Sequence, residues 1–169
     1  MKIAPALAIL FTSACLLADG LGRTMEALEK LPLIKQNQES TRVDGYKDGE
    51  ILQTFIPKKN GEAGSHLVLR ATSLKRKENI IEIDLLIPIS QGQPAAASRI
   101  DGEDQRTIAE VMDFLGIKQF RLAVVDFAND TLRSNDGKLR RFDLGSGVVR
   151  CQIIGKRLML QFLAPEKKP

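Results

Sequence analysis

One histidine, His66, and two cysteines, Cys15 and Cys151, are the only imidazole and thiol groups in the chain. Acid–base or nucleophilic chemistry would have to draw on these three and on carboxylates. Zinc needs several Cys or His ligands at close spacing, and no such group is present. His66 opens an alternating segment in which it points with Arg70 and Thr72, away from Leu67, Leu69 and Ala71, which predicts a solvated strand position. Ser65 is its neighbour in sequence, but a triad is spatial and needs an orienting carboxylate. Cys151 alternates with Val149 and Ile153, so it is expected in the core. A thiol among apolar neighbours has its pKa raised, the wrong direction for a nucleophile.

Glu82 and Asp84 share one face of a strand, two residues apart. As a catalytic pair they would need a cleft and one raised pKa. Beside Arg70 on the wet side of a sheet, they read instead as part of a charge ladder across strands. The other dense acidic groups are Asp101-Gly102-Glu103-Asp104 and the stretch from Asp126 to Asp136. Neither fits a twelve-residue calcium loop, and in the first Met112 stands where the closing Glu belongs. The Asp101 group reads as acid at a helix start, where the dipole favours it. Gly145-Ser146-Gly147 lacks a third glycine and leads into a strand, so it is a turn rather than a phosphate cradle. Lys58-Lys59, Lys75-Arg76-Lys77, Arg140-Arg141 and Lys156-Arg157 mostly sit in or beside predicted turns, and the first two, at successive turns of a meander, are expected at opposite ends of the sheet. Asn129-Asp130-Thr131 has the form of a glycosylation sequon. Catalytic, cofactor and metal residues are therefore expected to be none.

The first segment carries an address. Met1-Lys2 gives a positive tip, and residues 3–18 hold no charge. A positive start, an apolar run of about a dozen residues and a small-residue exit make a secretory signal. The run is short for a membrane span, which needs about twenty residues, and Pro5 lies inside it. Ala18-Asp19-Gly20 puts small residues three and one positions before Leu21 and predicts cleavage between Gly20 and Leu21. Alternatively, Thr12-Ser13-Ala14-Cys15 resembles the bacterial lipoprotein box, with Thr12 where the box usually has Leu. That resemblance implies a lipidated Cys15 at the head of the mature chain, held on a membrane by its acyl groups. Either cut leaves Cys151 without a thiol partner in the mature chain, so its core alone must hold it.

Composition narrows the rest. The chain has 169 residues, 43% apolar and 27% charged, which is one globular domain. About 150 residues after cleavage suffice to bury roughly 68% of the unfolded surface. Seven Phe, one Tyr and no Trp weigh against stacking platforms for sugars or single-stranded nucleic acid. The formal net charge is +4, and cleavage before Cys15 removes Lys2 to leave 24 basic against 21 acidic residues, +3. Nucleic-acid binding would want a clustered basic face, which the sequence does not offer.

Thr24 predicts an N-cap for a short helix stopped at Pro32, and residues 33–44 read as a polar tether. Strands are predicted over 51–56, 66–74 and 80–89 as a meander with one wet face. A helix over about 103–115 follows, capped by Asp101, with the stripe Ile108, Val111, Met112 and Leu115 and a stop at Gly116. Further strands are predicted over 119–127, 139–144, 148–154 and 157–163, the last two joined by Gly155-Lys156 as a type II′ hairpin. The fold class is α+β, mostly antiparallel, with about seven strands in a curved sheet or OB-like barrel. The organisation is a signal over 1–20 (1–14 for a lipoprotein), a short helix and polar stretch over 21–44, the β-rich domain over 45–165 and a tail over 166–169. The functional expectation is a non-catalytic, exported cell-envelope module that binds another envelope protein. It sits in the periplasm or at the outer membrane of a Gram-negative cell and touches membrane only through a lipid anchor. Position alone makes the 148–163 hairpin the expected binding edge. The alternative is a carrier of a small apolar ligand in the curved sheet.

Overall fold

The computed structural model describes residues 21–35, 38–46, 50–57, 68–73, 79–89 and 99–164, with 38–46, 50, 56 and 57 described through their backbone alone. Cys15, Gly20, His66 and the clusters Lys58-Lys59 and Lys75-Arg76-Lys77 lie outside the described residues. The elements in order are α1 (Met25–Glu29), α2 (Pro32–Lys35), β1 (Gln38–Tyr46), β2 (Glu50–Pro57), β3 (Val68–Ser73) and β4 (Ile80–Pro88). Then come α3 (Gly102–Phe114), a 3-10 turn (Lys118–Phe120), α4 (Arg121–Ser134), β5 (Arg140–Asp143), β6 (Val148–Ile154) and β7 (Arg157–Leu163).

The fold is α+β with a mostly antiparallel sheet, and six of the seven expected strands are strands. The spatial order is β1-β2-β3-β4-β7-β6-β5. Two meanders, β1 to β4 and β5 to β7, are thus fused along the antiparallel seam of β4 and β7. Among the described residues the sheet is open, with β1 and β5 as its edges, and not the closed OB-like barrel. The hairpin of β6 and β7 does form through Gly155, whose φ of +59° suits the first position of a type II′ turn. It lies inside the sheet, however, with β7 against β4 and β6 against β5, and so is not an edge.

Two local expectations fail for physical reasons. The seventh expected strand, residues 119–127, is the 3-10 turn and the start of α4. Alternation of Phe120, Leu122 and Val124 suggested period two, but the buried residues of α4 are Val124, Ala128, Thr131 and Leu132. Steps of four, three and one are a helical stripe, and Leu122 is left 81% exposed. Asn135 ends α4 in the left-handed region at φ 44°, a conformation asparagine tolerates. The expected tether instead holds α2 and β1. Pro32 does not merely end a helix but opens α2 as its first residue, where its missing N–H costs nothing.

The caps form as expected. The Thr24 side chain accepts a hydrogen bond from Ala27 N at 3.3 Å. Asp101 accepts from Glu103 N at 2.9 Å and Asp104 N at 2.7 Å. Gly116 follows α3 at φ +74°. Ile108, Val111 and Met112 are buried against one face of the sheet with Met25, Leu28, Val124 and Ala128. That face supplies Phe55, Leu69, Ala71, Ile83, Leu85, Ile87, Leu158, Leu160, Phe162, Val149 and Cys151. At β3 and β4 the register shifts so that Ser73 faces Ile80. This bulge is why Ile80 is buried while the next residue, Ile81, is only half-buried.

Candidate functional site

Directly opposite residues in neighbouring strands project to the same face. The register therefore gives one continuous row across the face away from the core: Thr54, Arg70, Asp84, Gln161, Arg150 and Arg141, from β2 to β5. On one flank run Val68, Leu86, Met159 and Gln152. On the other run Leu52, Thr72, Glu82, Leu163 and Val148. None of these residues belongs to the apolar cluster that the helices cover. The row is flanked by half-buried Val68, Leu86 and Met159 on one side and by buried Thr72 and Val148 on the other, a mixture of charged and apolar groups of the kind that partner-binding surfaces combine.

Asp84 is the electrostatic centre of the row. Gln161 Nε2 donates to its Oδ1 at 3.0 Å. Burial, and then the neighbouring Glu82 charge, push the Asp84 carboxyl up to about 6. The Gln161 hydrogen bond and the Arg70 charge act in the opposite direction and are outweighed. The sequence-based pairing of Glu82 and Asp84 with Arg70 thus has its place in the register. Gln161 and Arg150 were missed because β4 meets β7 across more than seventy residues, and no local pattern names that partner. Arg157 further braces the seam, donating from its guanidinium to Leu86 O at 3.1 Å.

The remaining candidates are placed elsewhere. Cys151 is fully buried on the core face. Burial pushes its thiol up to about 11, despite a hydrogen bond with Thr131 and the charge of Arg140. A thiol so held stays protonated at neutral pH. Asp126 and Asp130 lie on α4, and Asp130 pairs with Arg133. Asp136 pairs with Arg140 at 3.1 Å, and the Lys138 N–H at 3.1 Å holds its carboxyl below its ordinary value. The sequon lies within α4, where Asn129 Oδ1 accepts from Ile100 N at 3.0 Å and Thr131 is buried. These are structural contacts. Among the described residues, no group of three His, Cys, Asp or Glu side chains is arranged to hold a metal ion.

A small apolar cleft of about 150 Å³ opens at the end of α3, lined by Leu21, Leu115, Ile117, Leu144, Val148 and Leu163 among others. Ligand pockets run to roughly 300–1,000 Å³, so this cleft is smaller than the cavity that a carrier of a small apolar ligand would call for. Leu21 is fixed beside it, its N–H donating to Ile80 O at 2.6 Å, while Ile80 N donates to Arg23 O at 2.6 Å. The first described residue is therefore already part of the folded body. Among the described residues, no helix is long and apolar enough to cross a membrane.

In comparisons with known proteins, the chain matches no family model, no curated protein and no solved structure.

Proposed function

We propose that the protein is a non-catalytic, exported cell-envelope module whose sheet face away from the helices binds another envelope protein. The observation that supports this most is the cross-sheet row of Arg70, Asp84, Gln161, Arg150 and Arg141 beside Val68, Leu86 and Met159. Arginine is enriched and Lys and Glu are depleted at protein interfaces. The row is more basic toward β5, which favours a partner with acidic residues at that end. The Cys151 thiol, buried and pushed up to about 11, is poorly suited to act as a nucleophile.

Export rests on the uncharged stretch after Lys2. Cleavage before Leu21 would leave the bond from Leu21 N to Ile80 O in place. Lipidation at Cys15 would leave residues 16–20 between the anchor and Leu21, a reach of about 20 Å when fully extended. The lipid-anchored form would therefore hold the domain against the bilayer surface.

A photo-crosslinking amino acid at Met159 in the native host tests the binding face, with the exposed α4 position Leu122 as control. The expected result is a discrete envelope adduct from position 159 that is lost when Arg70 and Arg150 are both changed to Glu. No adduct from position 159, or the same adduct from position 122, would contradict the reading.

A further inference from the structure

From the geometry of β5 we infer that two copies of this chain pair edge to edge through Arg141 and Asp143, making one sheet across a twofold axis. The inference does not rest on the proposed partner of the sheet face. Among the described residues, β5 has a strand partner, β6, on one side only.

The direction of its backbone follows from the ladder. Leu144 N donates to Gly147 O at 2.9 Å, so this is a hydrogen-bonded pair, and such pairs alternate along antiparallel strands. Phe142 and Arg140, opposite Val149 and Cys151, therefore turn their backbone groups toward β6. Arg141 and Asp143 turn theirs outward.

A twofold axis perpendicular to the sheet keeps each face continuous, which allows only registers that bring residues of like orientation together. Centring on Arg141 would set arginine against arginine, and centring on Asp143 would set aspartate against aspartate. Centring on Phe142 sets Arg141 against Asp143 of the second copy, twice. The same register joins both outward-facing residues in hydrogen-bonded pairs. Opposite charges across strands are favourable and like charges are not, so the edge selects its own register. Both side chains are exposed. Asp143 Oδ1 already accepts from Gly145 N at 2.7 Å, which holds the carboxylate at the edge. Phe142, packed against Phe127 with ring centroids 5.6 Å apart and the rings tilted by 32°, would meet its own copy at the axis.

So short a strand buries less than the roughly 1,600 Å² of a standard interface, so the dimer should be concentration-dependent. Sedimentation equilibrium on the chain as its host processes it reads the dissociation constant, expected in the tens of micromolar. Arg141→Asp and Asp143→Arg should each weaken dimerisation on the order of tenfold or more. The double exchange, Arg141→Asp with Asp143→Arg, should restore it. Asp143→Asn keeps a side-chain acceptor for Gly145 N and should weaken the dimer less than Asp143→Arg, which guards against a merely broken turn. A monomer up to about 200 µM, a dimer indifferent to both single reversals, or a double exchange that fails to restore pairing in a folded chain would each overturn the inference.

Discussion

Asp84→Asn is expected to make the protein more stable at pH 7.5, by about 2 kcal/mol, and to change its stability little near pH 4. The carboxyl of Asp84 is raised from 3.8 to about 6 because burial and Glu82 disfavour its charge. Between those two values the folded chain holds a proton that the unfolded chain has released, so stability falls as pH rises through the window. Below it both states are protonated and the contribution is fully present. Above it the folded state carries a charge it would rather not have. The full shift corresponds to about 3 kcal/mol, reduced here because the carboxylate keeps some contact with water. Asparagine retains the acceptor for Gln161 Nε2 and supplies an N–H toward Glu82, without the charge. Urea unfolding at pH 4 and pH 7.5 measures the effect. Equal stabilisation at both pH values, or destabilisation at pH 7.5, would show that Asp84 is not held in this way.

Phe162→Ala should cost about 3–5 kcal/mol, the largest loss expected from any single truncation named here. Phe162 is 1% exposed. It lies opposite Ile83 on β4 and Val149 on β6, on the seam that fuses the two meanders. Removing the ring opens a cavity where neither meander can close in without slipping against the other. The corresponding fall in melting temperature is about 10 °C for a domain of this size. Its neighbour Leu163 projects to the other face and is half-buried, so Leu163→Ala should cost about 1 kcal/mol. Leu122→Ala on exposed α4 surface should be near neutral. A small effect at Phe162 would put the seam elsewhere.

Much of this architecture is legible in the residues themselves. The meander of β2, β3 and β4, the Asp101 cap, the stripe on α3, the Gly155 hairpin and the burial of Cys151 were legible because each is set by local chemistry or a clean period. The start of α4 was not, because Phe120, Leu122 and Val124 satisfy a two-residue period while the deciding positions, Ala128 and Leu132, lie beyond the window. β1 was not, because an edge strand need not bury an apolar face and its polar residues read as a tether. The charged row was half legible. Arg70, Glu82 and Asp84 come from adjacent hairpin strands, whereas Gln161 and Arg150 join them only through the pairing of β4 with β7. Which strand becomes an edge is likewise a property of the whole sheet, and position in the chain pointed to the wrong one.

The most direct test of the account is the mass of the mature N-terminus, taken from the envelope fraction of the native host. The account predicts a chain beginning at a free Leu21 or at a lipid-modified Cys15. An intact Met1 on a cytosolic protein would contradict it, because the uncharged run after Lys2 would then belong to the working molecule rather than to its address.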